Sequence, residues 1–108
     1  MSVDESRFAA AADDLLNRIA DSVDDILGDD IDAEIQGGIL TMSLDGGGQY
    51  VINKHGPNRQ IWMSSPFSGA SHYDFAEGQW ISTRDSANRL PQVLADELKA
   101  KYGQDLNF

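Results

Sequence analysis

The side chains of this sequence best able to do chemistry are carboxylates crowded toward one end. Residues 1–36 hold 11 of the 18 acidic side chains against only Arg7 and Arg18, whereas the remaining 72 residues carry seven acidic and six basic groups. A general need for solubility does not predict such segregation. At about 100° per residue of helix, Asp13, Asp14, Asp21, Asp24 and Asp25 project from the half opposite an apolar stripe. Asp29, Asp30, Asp32 and Glu34 follow directly and extend the acidic surface. Carboxylates suit hard or borderline cations such as Fe²⁺, Fe³⁺, Mn²⁺, Mg²⁺ and Ca²⁺. Spread along an exposed ridge they cannot enclose an ion, and no Asp-x-Asp-x-Asp-Gly loop with a closing glutamate is present. Binding is therefore expected to be weak, multi-site and poorly selective. Close like charges cost a helix roughly 0.2–0.5 kcal/mol per pair, and aspartate is a poor helix former. A plain solvated face is the simpler reading; confinement to one third of the chain, at a cost in stability, favours a functional one.

A second set of candidates lies between Tyr50 and Phe75, where three segments rich in β-branched and aromatic residues are separated by Gly-Pro-Asn and Ser-Pro-Phe-Ser-Gly. This spacing predicts three consecutive antiparallel strands. Alternation places Tyr50, Ile52, Ile61, Met63, Tyr73 and Phe75 on one face, the core side. Asn53, Gln60, Trp62, His72 and Asp74 fall on the other. An indole among amides is more than a solvating face requires, and such aromatics serve as binding anchors; the alternative is a tryptophan half covered by a loop. His55 and His72 offer imidazoles that suit iron or copper. Neither has a carboxylate at ligand spacing, which favours reading them as surface polar residues. No Ser–His–Asp or Glu-x-x-His grouping is present, and Gly46-Gly-Gly48 lacks the Lys-Ser/Thr of a phosphate loop.

In the same stretch, Tyr50-Val-Ile-Asn-Lys54, Pro57-Asn-Arg-Gln-Ile-Trp-Met-Ser-Ser-Pro66 and Ser68-Gly69 closely resemble the frataxin family. No folding rule demands asparagine, glutamine and tryptophan in this order between strands. The resemblance implies an iron-binding accessory protein of iron–sulfur cluster assembly, an iron donor, sensor or regulator acting on a cysteine desulfurase and its scaffold protein. It implies iron (Fe²⁺/Fe³⁺) held weakly at the acidic ridge, which by its charge would also steer a basic partner. It implies docking through Asn53, Gln60 and Trp62, bordered by Lys54, Asn58 and Arg59, with His72 on the same face. Two departures stand out: His55 replaces the glutamine usual in eukaryotic members, and His72 the arginine often found there. A non-catalytic role is expected; weak ferroxidase activity in an iron-storing oligomer, and an interaction module whose acids never meet a metal, are the alternatives. The Glu-x-x-His pairs of a ferritin-like bundle are missing.

The totals narrow the field further. With 108 residues there is room for one domain and one modest core, expected to span 1–108. The absence of cysteine excludes disulfides, thiol nucleophiles and thiolate-held clusters. A net charge of −10 with no basic patch argues against nucleic acid. No apolar run approaches the ~20 residues that cross a bilayer, so no membrane partner is expected. The acidic start is unlike a signal or transit peptide. A monomer in the bacterial cytoplasm is expected, with the mitochondrial matrix after transit-peptide removal, and iron-dependent oligomers, as alternatives.

These residues need elements to position them. Ser2 and Glu5 form a capping-box pattern, and Phe8, Ala12, Leu15, Ile19, Val23 and Ile26, with Leu16 and Leu27, predict a helix over about 3–27 ended by Gly28. Ile31, Ala33 and Ile35 alternate inward, Gly37-Gly38 makes a hairpin turn, and Leu40, Met42 and Leu44 line the next strand. Asp45-Gly-Gly-Gly48 reads as a flexible loop, and Gln79–Ser82 as a closing strand with Trp80 in the core. Asn88 is expected to cap a helix over about 88–102 carrying Leu90, Val93, Leu94, Leu98 and Tyr102, with Pro91 in its first turn and a short tail beyond Gly103. Helix, about six strands between 31 and 82, then helix predicts an α+β fold: a two-layer α/β sandwich with two terminal helices on one face of an antiparallel sheet. Frataxins share that architecture, and the resemblance covers about Phe8 to Tyr102.

Overall fold

The computed structural model describes residues 5–108 as α1 (Glu5–Leu27), β1 (Ile31–Gln36), β2 (Ile39–Leu44), β3 (Gln49–His55), β4 (Gln60–Ser65), β5 (Gly69–Ala76), β6 (Gln79–Ser82) and α2 (Leu90–Tyr102). The expected start near residue 3 and the Ser2 cap lie outside the described residues. All six strands pair antiparallel in sequence order. Each connection is therefore a hairpin, and the turn residues explain why. Gly37 and Gly38 have φ of +61° and +79°, the paired positive values that a two-residue hairpin needs and that only glycine adopts without strain.

One core lies between the helices and the sheet. From α1 it takes Phe8, Ala12, Leu15, Leu16, Ile19, Val23 and Leu27; from the strands Ile31, Leu40, Met42, Tyr50, Ile52, Ile61, Met63, Tyr73 and Trp80; from α2 Leu90, Leu94 and Leu98. Trp80 is 4% exposed and packs its ring on Phe8 and Phe75 at centroid distances of 5.8 and 4.7 Å. Ile26, expected in the helix stripe, is 40% exposed, because the buried stripe runs from Val23 to Leu27 and turns residue 26 away from the sheet. Gly28 follows the last turn, where a Cβ would come within 2.5 Å of the Asp24 carbonyl oxygen.

Three local expectations need correction. Asn88 does not cap α2: its carbonyl accepts from the Ser82 amide at 3.0 Å, and Arg89 bridges Ile81, so strand-like pairing holds both residues extended. Arg89 is the N-cap, with no side-chain cap bond. The Asp45–Gly48 loop is pinned, since the Leu44 amide donates to the Gly48 carbonyl at 3.0 Å and the Asp45 amide to the Asp30 carbonyl at 2.8 Å. The tail beyond Gly103 is not loose. Leu106 is buried in the core, Ser22 Oγ donates to the Asn107 carbonyl at 3.1 Å, and Lys99 pairs with Asp105 at 2.7 Å. Leu106 and Phe108 of the tail line a groove together with Leu15, Trp80 and Ala95.

A polar contact fixes the β4–β5 turn to α2. Glu97 accepts from Tyr50 Oη at 2.8 Å and Ser65 Oγ at 2.6 Å through one oxygen, and from Ser68 Oγ at 2.7 Å through the other. Burial, then the bond to Glu97 and its negative charge, push the Tyr50 phenol far above its ordinary range. It therefore stays a donor.

Candidate functional site

The helices cover one face of the sheet, so alternation leaves the other face bare. Register brings Asn53, Trp62 and His72 into one row across β3, β4 and β5, with His55, Gln60 and Asp74 in the next. Trp62 is partly buried. Its indole stands between two imidazoles: His55 lies 3.9 Å away by ring centroids at 9° between planes, and His72 4.3 Å away at 12°. The indole N–H donates to Gln60 Oε1 at 2.7 Å, and Gln60 Nε2 donates to Asp74 Oδ1 at 2.8 Å. Ring stacking and this relay hold the indole in one orientation. A rigid aromatic with polar neighbours loses little entropy on docking, which is what a binding anchor needs.

Asn53, Gln60, Trp62 and His72 thus come together as the sequence implied. Asn58 is exposed in the β3–β4 loop, and Arg59 sits there at φ 53° with Nη1 donating to the Gly56 carbonyl at 3.1 Å. Lys54 does not join them. It alternates to the helix side of β3, where its Nζ pairs with Asp13 at 2.9 Å. Reading Lys54 as a border residue overlooked the period of two that governs its neighbours. His55 belongs to the site although it is isolated in sequence. Only the hairpin register, which sets residue 55 opposite 60 and diagonal to 62, reveals the contact.

The acidic side chains divide between two surfaces. Asp13, Asp14, Asp21, Asp24 and Asp25 are all exposed on α1. Asp14 pairs with Arg18 at 3.0 Å and Asp13 with Lys54; among the described residues Asp21, Asp24 and Asp25 have no cationic partner. The last turn of α1 contains no basic residue, so Asp24 and Asp25 face the negative end of the helix dipole, typically unfavourable by about 0.3–1 kcal/mol each. Asp32 and Glu34 alternate to the bare face of the sheet instead, at its β1 edge. The expected continuous ridge is therefore broken at that edge. A shallow concavity of about 330 Å³ there gathers Asp29, Asp30 and Asp32 with Asp45 of the β2–β3 connection. The signal for Asp45 is tertiary, the hydrogen bond from its backbone N–H to the Asp30 carbonyl.

Among the described residues no three carboxylates or imidazoles converge closely enough to hold one ion. The acidic surface can attract cations and offer one or two oxygens to each, with water completing the shell. No helix among the described residues is long and apolar enough to cross a membrane.

Comparison with known proteins places this arrangement. A frataxin-like domain model matches residues 1–104. The chain is similar to the mitochondrial frataxin homolog of Saccharomyces cerevisiae, 36% identical over 97 residues that make up 86% of this chain and 55% of that protein. It is similar to the mitochondrial frataxin homolog of Schizosaccharomyces pombe, 36% identical over 107 residues, 94% of this chain and 67% of that one. It thus spans about half the length of the first relative and two thirds of the second. Among solved structures, frataxin from Psychromonas ingrahamii superposes with a TM-score of 0.83 at 24% identity over 97% of both chains. Trimeric frataxin from S. cerevisiae, complexed with ferrous, does so at 0.77 and 33% identity over 96% of this chain and 90% of that one.

Proposed function

The chain belongs to the frataxin family, and from that premise we propose that it is an iron-binding accessory protein of iron–sulfur cluster assembly, working on a cysteine desulfurase–scaffold complex. The observation that carries this reading is the separation of two surfaces: unpaired carboxylates on α1, and an indole fixed on the bare sheet face. Iron is the cargo. Asp21, Asp24 and Asp25, with Asp13, Asp14, Asp29 and Asp30, supply hard oxygen ligands in a sparse array that suits a donor or sensor, which must release what it holds. Other divalent cations would compete there. Asn53, Gln60 and Trp62, with His72 and the Asn58–Arg59 loop, form the docking footprint, while the acids steer a basic partner from a distance. Both curated relatives are mitochondrial by name, which supports the mitochondrial matrix over the bacterial cytoplasm.

Anaerobic titration with Fe²⁺ tests the iron role. Backbone NMR signals of residues 13–34 should broaden or shift first; unchanged signals leave an interaction module that never meets metal. An iron-storing, iron-oxidising oligomer is the second reading, and the yeast relative described as trimeric and complexed with ferrous is what favours it. Sedimentation with and without iron, beside stopped-flow Fe²⁺ oxidation, separates the two. A monomer that does not accelerate oxidation over buffer retires the second.

A further inference from the structure

The two departures from the family pattern, His55 and His72, are the two residues that enclose Trp62. They reach it from different strands, β3 and β5, and each ring lies nearly parallel to the indole. Packing alone does not call for imidazole at either place. Among the described residues the Nδ1 of His55 is buried without a hydrogen-bond partner, an arrangement that costs stability and that a wholly apolar ring would avoid. What imidazole supplies is charge on demand, because it is the side chain whose charge changes between about pH 5 and 8.

We infer that His55 and His72 form a proton-responsive clamp on Trp62: the bare sheet face presents a neutral, sandwiched indole at high pH and an indole flanked by positive charge at low pH. Imidazolium is attracted to the electron-rich face of an indole, so protonation tightens the stack rather than opening it. The docking surface gains positive charge without moving its anchor. Few charges nearby compete with this change. On β5 Asp74 is already engaged by Gln60. On β3 Lys54 points to the helix side and pairs with Asp13. Arg59 precedes β4 and Arg84 follows β6, both in loops, and Glu34 shares the bare face from β1, three strands from Trp62. An acidic partner surface is therefore bound more tightly, and a basic one less tightly, as pH falls. His55 and His72 are positioning residues in this scheme, acting through the indole they hold.

The consequence for docking rests on the function proposed above; the clamp does not, and is tested without a partner. In a Trp80→Phe background, excitation at the red edge of the indole band selects Trp62 over the tyrosines. Lowering the pH from 8.5 to 5 should reduce its emission about twofold or more, because imidazolium accepts an electron from excited indole more readily than imidazole does. His55→Gln with His72→Gln should abolish the transition, and each single variant should retain part of it. Should Trp80→Phe fail to fold, ¹⁹F NMR of 5-fluorotryptophan-labelled protein, with Trp62→Phe assigning the peaks, reads the same titration. No transition in the parent, or an identical one in the double variant, overturns the clamp. Affinity for the purified desulfurase–scaffold complex at pH 8 and 6 then tests its use. The ratio of the two should differ at least about threefold between parent and double variant; equal ratios refute a role of the clamp in docking. Absence of binding at either pH counts against the docking surface and leaves the fluorescence result standing.

Discussion

Replacing Trp62 by alanine separates an anchor from a core residue, because the structure sets different magnitudes for the two roles. The indole loses two ring stacks, each worth about 0.5–1.5 kcal/mol, and one hydrogen bond to Gln60 worth about 0.5–1.5 kcal/mol. Its partial exposure discounts that sum, leaving an expected loss of about 2 kcal/mol, or roughly 10 °C in Tm for a domain of this size. Trp80→Ala, at the centre of the core, should cost about 3–5 kcal/mol. In binding the order reverses. Truncating a central aromatic anchor typically costs about 2 kcal/mol or more, which is about 30-fold in Kd. Urea denaturation and calorimetric titration against the desulfurase–scaffold complex measure both effects on the same preparations. A folded Trp62→Ala protein with unchanged Kd refutes the docking assignment. A stability loss equal to that of Trp80→Ala refutes the claim that the indole is only half committed to the fold.

Replacing Asp21, Asp24 and Asp25 together by asparagine should weaken Fe²⁺-induced NMR shifts while raising Tm. Removing two close like-charge pairs on α1 is worth about 0.4–1 kcal/mol, and a lower Tm contradicts the account of the helix. Leu106→Ala should cost about 2 kcal/mol or more by denaturation, as for a core leucine rather than a tail; a change within a few tenths would show the tail to be undocked. Tyr50, Tyr73 and Tyr102 all titrate above the ordinary 10.0 in the folded chain, with burial the largest cause in each case. A raised folded pKa means the unfolded chain releases protons first. The contribution of these tyrosines is complete below about pH 10 and declines above it, by up to about 1.4 kcal/mol per pH unit for each group. Denaturation curves from pH 8 to 11.5 should fall more gently for Tyr50→Phe than for the parent.

Where local signals agreed, the sequence was easy to read. The α1 stripe, the Gly37-Gly38 turn and the alternation from Tyr50 to Phe75 each obey one period, and together they specify two helices against a six-stranded antiparallel sheet. The same period of two assigned Asn53, Gln60, Trp62 and His72 to one face. What escaped was set by contacts between distant segments. Asn88 has good capping chemistry, yet β6 claims its backbone first. Leu106 carries no pattern of its own and is buried only because two helices leave room for it. His55 met Trp62 through a hairpin register that could be worked out from the turn length, and Asp45 met Asp30 through a backbone bond that could not. Lys54 follows the side-chain alternation to the helix side, which the family motif alone does not show.

The sequential order of the strands bears on how the chain finds this structure. Every pair in the sheet joins neighbours along the chain, so loop-closure entropy is small at each step and the meander can zip from any of its hairpins. The side-chain hydrogen bond from Ser22 to the Asn107 carbonyl joins residues 85 apart, and it waits on both helices. Damage to the tail should consequently leave the refolding rate nearly unchanged and appear almost entirely as faster unfolding.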